Sequence, residues 1–73
     1  MAIFADRLKE LRKNKGETQK VVADAIEMSE RNYQTLEYGK IKPNYDNIIK
    51  LADHFDVSTD YLLGRTDNPE IKK

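Results

Sequence analysis

Residues 18–40, TQKVVADAIEMSERNYQTLEYGK, have the pattern of two short helices joined by a sharp turn. The first helix is predicted over residues 19–26, because the hydroxyl of Thr18 can accept from the free backbone N–H groups at a helix start. Its apolar stripe consists of Val22, Ala25 and Ile26, with Ala23 beside it. Helices this short are unstable alone, so we expect both to pack against the rest of the domain.

The second helix is predicted over residues 29–38, with Ser29 as its N-cap. Met28 and Tyr33 have the spacing of a hydrophobic staple. At about 100° per residue, the side of Tyr33 also carries Leu36 and Glu37, the opposite side carries Arg31, Thr35 and Tyr38, and Gln34 lies at the flank. A helix with an apolar back and hydrogen-bonding side chains in front has the form that enters the major groove of DNA. The pattern therefore predicts a helix-turn-helix motif.

Three further helices are predicted around this pair. Phe4, Leu8 and Leu11 recur at helical spacing and predict a helix over residues 3–14 that Gly16 ends, with Asp6, Arg7, Lys9 and Lys13 facing outward. After Gly39, Asn44 is the expected cap of a helix that reaches about residue 55, with Ile48, Leu51, Ala52 and Phe55 inside. Ser58 opens a last short helix that Gly64 closes, with Val57 and Leu62 spaced as a second staple. The predicted fold is all-α, with five helices around one core.

A length of 73 residues fits one small domain, predicted over residues 8–62 with a C-terminal tail over residues 63–73. The sequence has no cysteine, and its single histidine, His54, has no ligand group near it in the sequence, so we expect no metal and no cofactor. No nucleophile–base pair or phosphate-binding loop indicates an enzyme, and no small-molecule ligand is evident. No apolar run reaches membrane-spanning length, so the expected location is the cytoplasm, at the nucleoid.

The charges are unevenly distributed, although 13 basic and 13 acidic residues give a net charge of zero. Residues 1–20 have six basic and three acidic side chains, a net charge of +3. Residues 21–38 have one basic and four acidic side chains, a net charge of −3, so the predicted reading unit is itself acidic. Residues 39–50 return to +2, with three basic side chains and one acidic. Contacts to DNA phosphates are therefore expected to flank the second helix.

The sequence resembles the Cro/CI-like helix-turn-helix repressors, also called the XRE family. The resemblance covers roughly residues 8–62 and rests on LKELR (8–12), GETQ (16–19), Ala23, Ser29, LE (36–37), GK (39–40), Pro43 and VSTDYLLG (57–64). It implies the fold of lambda repressor and a homodimer on a pseudo-palindromic operator of double-stranded DNA. The expected function is that of a prokaryotic or phage repressor.

The resemblance also implies a set of DNA-binding residues. They are Gln19, Glu30, Arg31, Asn32, Gln34, Thr35, Tyr38, Lys40 and Lys42. Gln19 corresponds to a glutamine that, in lambdoid phage repressors, contacts the DNA backbone and supports base readout. Arg31 suits guanine, Gln34 adenine and Thr35 a thymine methyl, whereas Glu30 either accepts from cytosine or only stabilises the helix start. Glu37 corresponds to a glutamate that pairs with an arginine of the first helix, here Arg12, and is therefore expected to have a structural role.

One position departs from the family, and three questions stay open. Glu27 stands where the family usually has glycine, so we expect a positive φ there. The apolar group at residues 61–63 fits either dimerisation or core packing. The acidic reading unit is also compatible with a protein-interaction module that has lost DNA affinity. An antitoxin that binds its own promoter is a variant of the repressor hypothesis.

Overall fold

The computed structural model describes residues 2–70, which form five helices and no strand. The helices are α1 (Ala2–Lys15), α2 (Gln19–Ala25), α3 (Glu30–Glu37), α4 (Tyr45–Phe55) and α5 (Thr59–Leu62). The all-α prediction is confirmed, with helix boundaries within one or two residues of those expected. Helix α3 packs against α1 and α2, while α5 packs against α1 and α4.

Four of the helices begin at side-chain caps that the sequence predicted. Thr18, Ser29, Asn44 and Ser58 each accept a hydrogen bond from the backbone N–H three residues further on, at 3.2, 3.2, 2.8 and 3.0 Å. Each bond satisfies one of the N–H groups that a helix start leaves free. The caps fix the first residue of α2 and of α3, and they thereby define the turn between these helices.

The turn between α2 and α3 has the left-handed conformation that the departure at Glu27 predicted. Glu27 has a φ of 60°, and the chain continues through a bond from the Met28 N–H to the Ala23 carbonyl at 2.8 Å. Asp56, after α4, adopts the same conformation with a φ of 55°, which the sequence did not indicate. Both residues are under the mild strain of a side chain in this region.

The core joins Tyr33 and Leu36 of α3 with apolar side chains from the other four helices. Its other fully buried large side chains are Leu8, Val22, Ile26, Leu51 and Leu62. The assignment of Ala25 to the inner stripe of α2 was wrong, because Ala25 is exposed and Ala23 is fully buried. The face of α2 that meets α3 is centred between Val22, Ala23 and Ile26, which turns Ala25 toward solvent.

The prediction that Arg7 faces outward was also wrong. Its guanidinium donates to the backbone carbonyls of Tyr61 and Thr66 and to the Asp67 carboxylate at 2.7 Å, and it lies 4.2 Å from the centre of the Tyr61 ring. The structure describes residues 63–70 of the segment predicted as a tail. They contain no helix, but they form hydrogen bonds with Arg7 of α1 and with residues of α5. Residues 71–73 of that segment lie outside the described residues.

Candidate nucleic-acid interface

Helix α3 buries one side and exposes the other, as its sequence predicted. Tyr33, Leu36 and Glu37 are 0%, 1% and 2% exposed, respectively. The side chains of Glu30, Arg31, Asn32 and Tyr38 are exposed, while Gln34 and Thr35 are half-buried at the edge of the helix. The six predicted contact residues of this helix region therefore all remain at least partly accessible to solvent.

The Thr35 hydroxyl is hydrogen-bonded within α3, which the sequence did not indicate. It donates to the Asn32 carbonyl at 2.6 Å, one turn earlier in α3. A threonine bonded in this way has used its one donor, so its methyl group and the accepting oxygen remain free for contact. The arrangement therefore suits contact with an apolar group, such as a thymine methyl, better than donation to a base acceptor.

Lys40 and Lys42 lie in the loop that follows α3, and both are exposed. The backbone N–H of Lys40 donates to the Thr35 carbonyl at 3.1 Å, and Gly39, with a φ of 74°, turns the chain away from the helix. This closure holds the loop against the C-terminal end of α3. Both lysines therefore lie in an exposed loop next to the C-terminal end of the helix.

A buried ion pair holds α3 against α1. The Nε of Arg12 donates to Oε2 of Glu37 at 2.6 Å, and its Nη2 donates to Oε1 at 3.1 Å. The third nitrogen, Nη1, donates to the Glu17 carbonyl at 3.0 Å and so fixes the turn before α2. The predicted pairing of Arg12 with Glu37 is confirmed, and its two parallel bonds give it the geometry of a strong carboxylate contact.

The surroundings of Glu37 keep it ionised although its side chain is inaccessible to solvent. Burial alone would raise the pKa of Glu37, but the hydrogen bonds from Arg12, with a smaller contribution from Gln19, lower it below its ordinary value. The same contact with Glu37 raises the pKa of Arg12. Burial, reinforced by the nearby Glu37 charge, raises the pKa of Tyr33. The site is therefore a charged pair beside a neutral phenol.

Gln19 connects this buried pair to the exposed edge of α3. Its Nε2 donates to Oε1 of Glu37 at 3.4 Å, and its Oε1 accepts from Nε2 of Gln34 at 3.2 Å. The resemblance implied that Gln19 supports base readout, but it did not indicate these two bonds. The sequence placed Gln19 and Gln34 separately among the DNA contacts, and it assigned Glu37 to Arg12 alone. The only local signal was that Gln19 is the first residue of α2 and Gln34 lies at the flank of α3.

A second contact that the sequence did not indicate fixes the turn before α2 from the other side. Nε2 of His54 lies 2.7 Å from Oε1 of Glu17, and Nζ of Lys15 donates to the His54 carbonyl at 2.9 Å. The His54 ring also meets Phe55 edge to face, with ring centres 4.9 Å apart. His54 thus packs against Phe55 and connects the end of α4 to the residues before α2.

No group of three or more His, Cys, Asp or Glu side chains within residues 2–70 is arranged to hold a metal ion. In the same part of the chain, no helix has the length and apolar character needed to cross a membrane.

Two short helices joined by a tight turn, the second held by its apolar side and exposed on its polar side, define a helix-turn-helix protein. The sequence model of the helix-turn-helix family matches residues 8–62 of this chain. The chain belongs to this family, which confirms the resemblance to Cro/CI-like repressors.

Curated bacterial proteins are similar to most of the chain. The HTH-type transcriptional regulator ImmR of Bacillus subtilis is 41% identical over 59 residues, which cover 81% of this chain and 46% of ImmR. The uncharacterized HTH-type transcriptional regulator YobD of the same organism is 37% identical over 96% of this chain and 62% of its own length. The cryptic phage CTXphi transcriptional repressor RstR of Vibrio cholerae is 38% identical over 82% of this chain and 54% of its own length. The chain thus spans about half to three fifths of these relatives.

Solved structures share the fold. The restriction-modification controller protein C.AhdI from Aeromonas hydrophila has a TM-score of 0.78 at 31% identity, covering 84% of this chain and 92% of that one. The P22 c2 repressor protein, in complex with a synthetic operator, has a TM-score of 0.79 at 22% identity, covering 85% and 94%. At that identity, the likeness to the P22 repressor shows the fold alone.

Proposed function

We propose that the chain is a sequence-specific DNA-binding transcriptional regulator that represses transcription. The observation that carries the proposal is the orientation of α3, which buries Tyr33 and Leu36 and exposes Arg31 with its polar neighbours. Such a helix presents side chains to base edges while the domain rests on the phosphates beside it. The names of the relatives ImmR and RstR, a transcriptional regulator and a transcriptional repressor, support the same function.

Each predicted contact has a role that its chemistry suits. Arg31 reads guanine through O6 and N7, Gln34 reads adenine, and Thr35 contacts a thymine methyl. Glu30 accepts from a cytosine amino group where the operator offers one. The residues assigned to the DNA backbone are Gln19, Asn32, Tyr38, Lys40 and Lys42.

The active species is proposed to be a homodimer on a pseudo-palindromic operator. Two copies related by a two-fold axis place their α3 helices in successive major grooves, about 34 Å apart along the DNA. Binding then blocks access of RNA polymerase or of a competing regulator. This mechanism requires no cofactor and no catalytic step, and it places the protein in the cytoplasm at the nucleoid.

Selection of bound sequences from a random duplex pool, at two salt concentrations, tests the proposal. We expect enrichment of a site with two related halves and a steep loss of affinity with salt. Arg31→Ala should flatten the preference at one base pair in each half, whereas Lys9→Ala, on the outer face of α1, should leave every preference unchanged. A chain that enriches no sequence at low salt would not have the proposed function.

The acidic charge of residues 21–38 favours one alternative, a protein-interaction module with the same fold. Such a module would bind a partner protein without salt-dependent affinity for DNA. The same selection separates the two functions, because only the regulator gives an enriched site. An antitoxin that regulates its own promoter would behave as the regulator does in this experiment.

A further inference from the structure

Three hydrogen bonds form a continuous path from the buried ion pair to the exposed edge of α3. Arg12 donates to Oε1 of Glu37, the same oxygen accepts from Nε2 of Gln19, and Oε1 of Gln19 accepts from Nε2 of Gln34, at 3.1, 3.4 and 3.2 Å. The first two residues of the path, Arg12 and Glu37, have side chains that are 15% and 0% exposed. The path ends at a side chain already assigned to base reading.

The chemistry of the first acceptor fixes the direction of every bond in the path. An ionised carboxylate only accepts hydrogen bonds, whereas an amide has one donating and one accepting end. Because Arg12 keeps Glu37 ionised, Gln19 has to turn its NH₂ group toward Glu37 and its oxygen toward Gln34. That oxygen cannot donate, so Gln34 in turn has to present its NH₂ group to Gln19. Neither amide can reverse without placing two acceptors against each other.

The fixed direction determines what Gln34 offers to DNA. One of its two N–H groups is bonded to Gln19, which leaves one N–H and the carbonyl oxygen in an unchanging order. In the major groove, adenine is the base that presents an acceptor, N7, beside a donor, the N6 amino group. Guanine presents two acceptors, O6 and N7, which this oriented amide cannot satisfy together.

We propose that Glu37 is a positioning residue for base specificity: through Gln19 it fixes the orientation of the Gln34 amide and so restricts Gln34 to adenine. This proposal rests on the proposed function, because it assigns a role within DNA reading. It also separates two properties of the ion pair. Arg12 and Glu37 hold α3 in place, and the remaining lone pair of the carboxylate orients the side chains above it.

Base preference, measured by selection from the random duplex pool, is the readout that a purely structural role would not move. Gln34→Ala first identifies the base pair that Gln34 reads. The decisive variant is Gln19→Met, which keeps an unbranched side chain at the start of α2 and removes the amide. We expect the adenine preference at that one base pair to fall by about tenfold, since a freely rotating Gln34 amide loses much of the discrimination of a bidentate contact. Preferences assigned to Arg31 should stay unchanged.

Gln19→Glu is the matched variant. A carboxylate at position 19 breaks the link to Glu37 but still forces Gln34 to donate, so adenine preference should be retained while affinity for all sequences falls. Glu37→Gln offers either an acceptor or a donor to Gln19 and should relax adenine preference as Gln19→Met does, in protein shown by circular dichroism to be folded. If Glu37→Gln does not fold, the two Gln19 variants decide the question.

The outcomes distinguish the positioning role of Glu37 from the DNA-binding function on which it rests. Enrichment of a site by the unmodified chain, with adenine preference unchanged in Gln19→Met, would overturn the inference and leave the function in place. A Gln34→Ala variant that alters no base preference would overturn it as well. A chain that enriches no site at all would overturn the proposed function, and the inference with it.

Discussion

Glu37 is the buried charge on which the position of α3 depends. Its carboxylate is inaccessible to solvent and receives two bonds from Arg12. Removing one partner of a buried pair leaves the other charge without compensation, which costs more than the pair itself contributes. We therefore expect Glu37→Ala to lower the free energy of unfolding by about 3 kcal/mol. Urea unfolding at neutral pH measures this change.

The control for that substitution is Glu30→Ala. Glu30 lies in the first turn of the same helix, is exposed, and is free of any ion pair within residues 2–70. Its replacement removes only a favourable anion at a helix start, worth under about 1 kcal/mol. If Glu37→Ala and Glu30→Ala lowered the free energy of unfolding equally, the buried pair with Arg12 would contribute no more to stability than an exposed carboxylate does.

The same carboxylate predicts how stability depends on pH. The pKa of Glu37 is lowered in the folded protein from an ordinary value of about 4.5, so below that value the unfolded chain binds the proton more readily. The contribution of Glu37 to stability is therefore complete above pH 4.5 and is lost as the pH falls through the folded pKa. The difference in unfolding free energy between the natural chain and Glu37→Gln should stay constant from pH 7 to 5 and narrow below that. A constant difference down to pH 3 would contradict the lowered pKa.

Glu27 carries strain that a single substitution can release. At a φ of 60°, a side chain costs on the order of 1 kcal/mol relative to glycine, although glycine also loses more entropy on folding. Glu27→Gly should therefore be neutral or stabilising by up to about 1 kcal/mol. Asp24→Gly, three residues earlier and in helical conformation, should be destabilising by about 0.5 kcal/mol, because glycine has the lower helix propensity and the pair with Lys20 is lost. Clear destabilisation by Glu27→Gly, measured by thermal unfolding, would be the contrary result.

Positive φ at these positions illustrates what sequence can and cannot predict for single residues. Glu27 was predictable because the family usually has glycine at that point of the turn. Asp56 has the same conformation with no such indication, since aspartate tolerates the left-handed region and gives no signal of its own. The bond from Gln19 to Glu37 was equally hidden, because it joins side chains 18 residues apart whose approach depends on how two helices pack.

Helix starts were predicted well because they are local. A cap involves one side chain and an N–H three residues away, so Thr18, Ser29, Asn44 and Ser58 could be read directly from the sequence. Burial on a helix depends on the direction of its neighbours, which the sequence of one element does not contain. Ala25 and Arg7 were therefore assigned to the wrong faces, although the helices that carry them were predicted correctly.

Arg7 connects α1 to residues 61–67. Its removal should loosen this segment without loosening the rest of the fold. Its guanidinium bonds two carbonyls and one carboxylate around residues 61–67. Arg7→Met keeps the apolar stem and removes these bonds. We expect faster amide hydrogen exchange at Ser58 and Arg65, whose N–H groups bond the Pro69 and Asp60 carbonyls, with little change at the centre of α3.

Lys9→Met on the same helix is the control for Arg7→Met, because no hydrogen bond or ion pair of its side chain occurs within residues 2–70. Unchanged exchange at Ser58 and Arg65 in Arg7→Met would mean that the packing of Tyr61 and Leu63 against the core is sufficient to hold residues 63–70.

For the whole molecule, the distribution of charge matters more than its sum. The chain is neutral, whereas residues 21–38, which contain most of α2 and all of α3, have a net charge of −3. Attraction to phosphates then has to come from side chains outside that segment, of which Lys40 and Lys42 are exposed beside α3. Affinity and base preference should therefore depend on different residues of the same surface.

The double substitution Lys40→Ala and Lys42→Ala tests this division. Each lysine that neutralises a phosphate contributes about one unit to the slope of log affinity against log salt, so the slope should fall by about two. Base preferences in the selected site should be unchanged, because phosphate contacts carry no direct sequence information. The pair Lys9→Ala and Lys13→Ala, on α1, produces the same change in net charge. If both pairs lower the slope equally, attraction to DNA is a property of the overall charge and the loop after α3 has no particular role in it.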